Sequence, residues 1–129
     1  PRRDLAILEP YYPEQFLNET PYRLDDNASG AVGELTLTAL RDEQASVLSG
    51  SELLNTSLRA NEHGFATDFI ATLPAQKGDS GSAVVKSING HAVVTGCVRA
   101  IDPFCDKRTF YVPSREIRAF LNENGLFEV

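Results

Sequence analysis

The chain has 129 residues, 42% of them hydrophobic and 23% charged, a composition typical of one globular domain with a substantial core. Its formal net charge of −6 argues against nucleic acid or an anionic membrane as a partner, because both bind basic surfaces. No apolar run approaches the length of a membrane-spanning helix, and the first residues do not form a signal peptide. A proline at position 1 and the lack of methionine lead us to expect a processed product or a piece of a longer protein.

The predicted elements begin with a short apolar run, Leu5–Leu8, which directly follows Asp4 and is bounded by Pro10. Four residues are too few for a helix. Residues 10–32 are rich in Pro, Asn, Asp and Gly, which predicts a long surface connection fixed by scattered aromatic side chains.

Strands are predicted next from alternation and from β-branched runs. The clearest is Glu34–Leu40, where apolar and polar residues alternate with period two. Asn89-Gly90 is typical of a tight hairpin turn between two strands. The further predicted strands are Ala45–Leu48, Gly64–Leu73, Ala83–Lys86, Ala92–Val98 and Phe110–Val112.

A helix is predicted at the C-terminal end. Ser114 is a candidate N-cap, and Gly125 lies where a helix would stop. Ile117, Phe120 and Leu121 have the i, i+3, i+4 spacing of an apolar stripe that packs on the rest of the fold.

Candidate chemistry is concentrated in Gly78-Asp79-Ser80-Gly81, which leads into an apolar strand. Glycines on both sides let the backbone turn sharply and leave the hydroxyl open, and an exposed Ser Oγ beside N–H donors is what acyl transfer requires. A plain turn before a strand is the alternative interpretation. The nucleophile elbow of α/β-hydrolases fits poorly, because Ser82 replaces its last glycine and a strand follows. Lipases of the Gly-Asp-Ser type also fit poorly, because no histidine lies beyond His91.

This stretch resembles the Gly-Asp-Ser-Gly-Gly signature of chymotrypsin/trypsin-like serine peptidases. A second match precedes it: Asp4-Leu5-Ala6-Ile7-Leu8 resembles the run that begins with the catalytic aspartate of that family. The order of elements after the serine is similar as well. The resemblance implies that Ser80 is the nucleophile, that the amides of Gly78 and Ser80 form the oxyanion hole, and that Asp4 orients a histidine.

By this resemblance the chain is an all-β, chymotrypsin-like Greek-key barrel with a C-terminal helix, and the first barrel of the family is mostly absent. Residues 1–9 correspond to the last strand of the first barrel and residues 10–32 to the connection between barrels. Residues 33–113 correspond to the second barrel and residues 114–129 to the helix and tail.

The catalytic base is missing. His63 lies in Asn-Glu-His-Gly, which predicts a turn, and His91 follows the Asn89-Gly90 hairpin turn. Both are expected to be solvated loop residues. The family's histidine precedes the aspartate, so we expect it on an upstream segment or a separate chain, without which the 129 residues are inactive.

The resemblance also suggests three walls for the pocket that accepts the substrate side chain before the scissile bond. The position of the acidic residue in trypsin-like members is Pro74, so we expect Lys and Arg substrates to be rejected unless Asp102 or Asp106 folds inward. Thr109 would shorten the cavity, so we expect small or medium uncharged side chains, with Thr109 able to hydrogen-bond a polar one. The wall residues are Pro74, Ala75, Gln76, Lys77, Val98, Arg99, Ala100 and Thr109.

Two features concern the compartment. Asn18, Asn27 and Asn55 begin N-glycosylation-type sequons and suggest a secretory route. Cys97 and Cys105 are too few for a disulfide framework and lack metal-ligand spacing, so either a bridge or two free thiols is possible.

The resulting prediction is a serine endopeptidase that needs no metal or cofactor, acts on polypeptides and binds neither nucleic acid nor membrane. Two alternatives stay open. One is a non-catalytic, protease-like binding or regulatory module. The other is a viral structural protease that cleaves itself once.

Overall fold

The computed structural model describes residues 5–18, 22–25, 34–54, 69–88, 90–102 and 105–126. Within these ranges the chain forms eight β-strands, one α-helix and a short 3₁₀ helix. Their bounds are Pro13–Phe16 (3₁₀), β1 Arg23–Leu24, β2 Leu35–Arg41, β3 Gln44–Gly50, β4 Glu52–Leu54, β5 Phe69–Ala71, β6 Ala83–Ile88, β7 His91–Asp102, β8 Cys105–Pro113 and α1 Ser114–Glu123.

The strands form one sheet in the order β3-β2-β6-β7-β8-β5-β4, with antiparallel pairing along this path. Only Ser51 separates β3 from β4, so one bent strand occupies both ends of the order and closes the sheet. The bend packs on Thr72, whose Oγ1 accepts the Ser51 N–H at 2.9 Å and whose N–H donates to the Ser51 carbonyl at 2.8 Å. At Gly50 a Cβ would lie 2.6 Å from the Thr72 carbonyl oxygen, so the bend needs glycine. The prediction of an all-β barrel with a terminal helix is confirmed.

The strands follow the sequence pattern. In β2 the side chains of Leu35, Leu37 and Ala39 are fully buried, while Thr38 and Leu40 are exposed, as period two requires. The hairpin partner β3 and the strands flanking Gly90 are also confirmed. Strands β7 and β8 are longer than predicted. Within the predicted Gly64–Leu73 strand, β5 covers only Phe69–Ala71, and residues 64–68 lie outside the described ranges.

The core lies inside the barrel and is built around Tyr111. The Phe69 ring meets the Tyr111 ring edge-on, with centroids 5.9 Å apart and planes at 75°. Gly96 lies beneath the same ring, where an added Cβ would be 2.2 Å from Tyr111 Cδ2. The glycine inside β7 is therefore required by close packing. Other buried core side chains are Leu35, Leu37, Leu73, Val84 and Val98.

The helix ends as the sequence predicts but begins differently. Leu126 N–H donates to the Leu121 carbonyl at 2.9 Å and Gly125 N–H to the Asn122 carbonyl at 3.0 Å, with Gly125 at φ +69°, which is a Schellman termination. Ser114 is not the N-cap, because the helix begins at Ser114 itself and Pro113 precedes it with no side-chain cap. The predicted apolar stripe is only half-buried.

The connection before β2 is held by a buried ion pair at its C-terminal end. Strand β1 pairs in parallel with Val93 and Val94 of β7. Asp25, next along the chain, contacts Lys86 Nζ at 2.7 Å, and both side chains are less than a tenth exposed. Desolvated charges persist in a fold only when each has a partner, so this pair fixes where the connection enters the barrel.

The two cysteines lie on the paired strands β7 and β8. Cys97 pairs with Val112 in the β7–β8 ladder, five residues along β7 from Asp102, the residue opposite Cys105. At about 3.3 Å per residue the two cysteines are too far apart for a disulfide.

Residues 5–10 form no regular element, so a first-barrel strand there stays a prediction.

Candidate active site

The Gly78-Asp79-Ser80-Gly81 stretch forms two overlapping turns that lead into β6. Asp79 N–H donates to the Gln76 carbonyl at 3.0 Å, and Ser82 N–H donates to the Asp79 carbonyl at 3.1 Å. Gly78 and Gly81 have φ angles of +102° and +90°, which L-residues rarely adopt, so the glycines supply the conformation. Ser80 lies exposed at the tip, as the predicted nucleophile should.

A bulge in β7 positions Ser80. Val98 pairs with Tyr111 and Ala100 with Phe110, so Arg99 is an extra residue with no partner position on β8. Ser80 Oγ donates to the Arg99 carbonyl at 3.3 Å. The turn is joined to β7 by two further bonds, from Gly81 N–H to the Val98 carbonyl (2.8 Å) and from Val98 N–H to the Ser82 carbonyl (2.9 Å).

Asp79, the residue before Ser80, is held by Arg41, which no sequence pattern indicated. Arg41 Nη2 donates to Asp79 Oδ2 at 2.8 Å and to the Pro74 carbonyl at 3.3 Å, and Gln76 N–H donates to the same carboxylate oxygen at 2.8 Å. Arg41 ends β2 just before the two-residue turn Asp42–Glu43. The hairpin tip is thus fastened to the nucleophile turn.

This arrangement keeps Asp79 ionised. Its side chain is 4% exposed, and burial alone would raise its pKa. The hydrogen bond from Arg41, the Gln76 amide and the charge of Arg41 outweigh burial, so the pKa of Asp79 lies below its ordinary value of 3.8. No spacing rule could have identified Arg41, which is 38 residues from Asp79 in the chain.

The amides proposed for the oxyanion hole are available. The amides of Gln76, Asp79, Gly81 and Ser82 all have acceptors within the fold. Among the described residues, no acceptor is found for the N–H groups of Gly78 and Ser80. These are the two amides that the resemblance assigns to the oxyanion.

A cavity of about 450 Å³ opens beside Ser80. One wall comes from the N-terminal segment and the other from the nucleophile turn and β7. Its lining residues are Leu5, Ala6, Leu8, Ser80, Gly81, Cys97, Val98 and Arg99. Asp4 lies outside the described residues, but Leu5, the residue that follows it, lines this cavity. The structure therefore brings the end of the predicted aspartate motif to the predicted nucleophile.

The histidines are not placed for catalysis in the part of the chain that the structure describes. His91 pairs with Ile88 at the β6–β7 hairpin and is exposed. It lies eight residues along β7 from Arg99, or about 26 Å at 3.3 Å per residue. His63 is outside the described ranges.

The three predicted substrate walls lie together, but their surfaces differ. Thr109 pairs with Ile101 of β7 and Ala71 of β5, and its Oγ1 donates to the Leu73 carbonyl at 2.5 Å. Thr109 is fully buried, so a hydrogen bond from it to a substrate would require giving up that internal bond. Ala75 and Val98 are buried, Pro74, Arg99 and Ala100 are half-buried, and Gln76 and Lys77 are exposed.

The described residues contain no metal-ligand cluster and no membrane-spanning helix. No three His, Cys, Asp or Glu side chains come together there as a metal site. The one α-helix described is too short and too polar to cross a membrane.

Comparison with known proteins gives a fold and no family. No family model matches the chain, and no curated protein matches it. Among solved structures, it is similar to Rv3671c from M. tuberculosis H37Rv, in the inactive form of a serine-to-alanine mutant, with a TM-score of 0.60 and 13% sequence identity. The match covers 88% of this chain and 57% of the neighbour, so the chain spans little more than half the neighbour's length. The similarity supports a protease-like fold.

Proposed function

We propose that this chain is the nucleophile-bearing part of a serine endopeptidase that works through an acyl-enzyme. The observation that carries the proposal is the exposed Ser80 hydroxyl on a turn fixed by Asp79 and Arg41, beside an open cavity and two amides that have no acceptor among the described residues. Ser80 is the nucleophile, and the amides of Gly78 and Ser80 stabilise the oxyanion. Asp4 orients a histidine contributed by an upstream segment or a separate chain.

In the proposed reaction a histidine takes the Ser80 proton as Oγ attacks the scissile carbonyl carbon. The carbonyl oxygen becomes negative and accepts hydrogen bonds from the N–H groups of Gly78 and Ser80. Collapse of the tetrahedral intermediate breaks the peptide C–N bond, and the histidine returns its proton to the leaving amine. Water then attacks the ester on Ser80, with the same histidine as base, and releases the acid product.

Exposed apolar side chains support an upstream partner. Leu8, Tyr11 and Tyr12 are 88%, 96% and 62% exposed; Leu8 lines the cavity, and the two tyrosines follow it in the chain. Apolar groups clustered in one short segment are typical of a surface that another polypeptide covers.

The substrate side chain before the scissile bond is proposed to be small or medium and uncharged. Pro74 offers no carboxylate to pair with a lysine or arginine, and an unpaired buried cation costs several kcal/mol. Thr109 is fully buried and donates to the Leu73 carbonyl, which supports a shallow pocket between β7 and the Leu73–Lys77 segment. A cleavage profile from a peptide library, dominated by Lys/Arg or by Phe/Tyr, would overturn this preference.

One observation favours a second function. No histidine, aspartate or glutamate is among the described residues that line the cavity, and the neighbouring Asp79 is held by Arg41, as would hold for a protease-like module that only binds polypeptides. The two functions differ in the complete gene product: a peptidase cleaves peptides and loses several orders of magnitude in rate in Ser80→Ala. A binding module shows no cleavage, and its affinity for polypeptides is unchanged by Ser80→Ala.

Two matched controls sharpen this test. Ser82→Ala changes a half-buried hydroxyl in the same turn and should retain activity. The 129 residues alone should be inactive, and measurable turnover by that pure chain would point to His63 as the base, because His91 lies at the β6–β7 hairpin, far from Ser80. Full activity in Ser80→Ala would refute the proposal.

We also propose a secretory route from the three sequons. Asn18, in the described part of the chain, is exposed. Protein from a eukaryotic secretory host should then shift on a gel after glycosidase treatment, and the Asn18→Gln variant should shift less. An unshifted wild-type band would contradict this route.

A further inference from the structure

The cavity beside Ser80 is open, and its lining is mostly apolar. Leu5, Ala6, Leu8 and Val98 contribute hydrocarbon, and the hydroxyl of Ser80 is the polar group nearest the proposed chemistry. Its volume of about 450 Å³ lies within the range of small-molecule sites. No histidine, aspartate or glutamate is among the described residues that line it.

We infer that this cavity binds small flat nitrogen heterocycles, and that free imidazole bound there activates Ser80 without any histidine side chain. The inference rests on the proposed function, because it uses Ser80 as a nucleophile. It goes further by assigning a diffusible ligand class to the cavity of the chain itself.

The chemistry needs only a lone pair within reach of the Ser80 proton. That hydroxyl now donates to the Arg99 carbonyl at 3.3 Å, a long bond that an imidazole nitrogen can replace. The ring faces are apolar and match the Leu5 and Val98 side of the lining. A ligand of five heavy atoms has a small total contact area, so we expect a Kd of about millimolar order.

The gain in reactivity should be moderate. A positioned general base contributes roughly 10²–10⁴-fold in rate. The Arg99 cation in the lining favours the neutral ring on entry, but it also opposes the imidazolium that forms as the proton is transferred. We therefore expect an increase of about tenfold at saturation, near the low end of that range.

A fluorophosphonate measures this step directly. Ser80 Oγ forms a bond to phosphorus, the P–F bond breaks, fluoride leaves, and the serine proton goes to imidazole. The 129-residue chain is incubated with the probe and 0 to roughly 100 mM imidazole, a range chosen to span a millimolar Kd, and the adduct is quantified by peptide mass spectrometry. Pyrazole, which has the same shape and is a far weaker base, is the ligand control.

A matched pair of variants tests the location. Ala6→Phe fills the cavity from an exposed position, whereas Ala45→Phe adds the same ring to the exposed face of β3. Circular dichroism spectra of both variants serve as the control for folding. In wild-type and Ala45→Phe we expect the rate of Ser80 labelling to rise with imidazole concentration and to saturate. In Ala6→Phe we expect no increase with imidazole, and in wild-type no increase with pyrazole. A linear response shared by Ala6→Phe would overturn the inference, since it would show that imidazole acts from bulk solvent.

Failure of this inference is distinguishable from failure of the proposed function. Amide shifts of Ser80, Gly81 and Arg99 in ¹H–¹⁵N spectra report imidazole binding without any reaction. If imidazole does not bind, or binds without faster labelling, while the fluorophosphonate still labels Ser80 in the complete gene product, the inference is overturned and the proposed function stands. If the complete gene product also fails to label, the proposed function falls with it.

Discussion

The ion pair between Arg41 and Asp79 yields the sharpest test of how the nucleophile turn is held. In Arg41→Met the carboxylate of Asp79, 4% exposed, keeps the Gln76 amide as its one donor among the described residues. Removing one partner of a buried pair costs about 3–5 kcal/mol. Arg41 is 26% exposed, so water can replace part of its contribution, and we expect a loss of about 2–3 kcal/mol in the free energy of unfolding.

The assay is equilibrium urea unfolding at pH 7 and at acid pH. A carboxyl whose folded pKa is depressed stabilises the protein above its unfolded pKa, and this contribution is lost as pH falls through the folded value. The pKa of Asp79 is lowered from 3.8. The difference in the free energy of unfolding between wild-type and Arg41→Met should therefore be largest at neutral pH. It should become smaller when the pH is well below 3.8.

Two variants serve as controls for this experiment. Arg23→Met removes an exposed arginine from β1 and should change stability by less than about 0.5 kcal/mol. The double variant Arg41→Met/Asp79→Asn should cost less than the sum of the singles, because the second change removes the stranded charge. Additive losses, or an Arg41→Met effect that is independent of pH, would show that Arg41 and Asp79 are not a coupled, buried ion pair.

Three further predictions concern stability, each measured by urea unfolding. Gly96→Ala should prevent a native barrel, because the new Cβ would lie 2.2 Å from the Tyr111 ring; a cooperative transition at the wild-type midpoint would contradict the packing. Lys86→Met should cost about 3–5 kcal/mol by leaving Asp25 buried without its ammonium, and a loss under 1 kcal/mol would show that the pair is not desolvated. Phe120→Ala should cost roughly 1–2 kcal/mol, less than the 3–5 typical of full burial, because this side chain is half-buried. A larger loss would place it in the core.

Local sequence rules predict much of this barrel, because β-strand alternation and glycine positions are local signals. Period two located β2, the Gly90 turn located the β6–β7 hairpin, and Gly125 located the end of the helix. The start of the helix was misplaced, because Ser114 has the residue type of an N-cap but is buried in the first turn. Burial is set by tertiary packing, which a local pattern does not contain.

In the candidate site, too, local sequence patterns predict some features and tertiary packing sets the others. Ser80 and its flanking glycines were found because the turn geometry imposes glycine at fixed offsets. Arg41 could not be found, since any of the 12 lysines and arginines could have partnered Asp79 until the sheet order placed the β2 hairpin beside the turn. The bulge at Arg99 was also missed, because it depends on how β7 and β8 register against each other.

The central claim is that Ser80 is an activated nucleophile, and the most direct measurement is the site of a fluorophosphonate adduct. The protein is expressed in its natural host, treated with the probe, digested and mapped by mass spectrometry. We predict one adduct on Ser80, its retention in Ser82→Ala and its loss in Ser80→Ala. An adduct on another residue, or a folded protein that stays unmodified, would contradict the account.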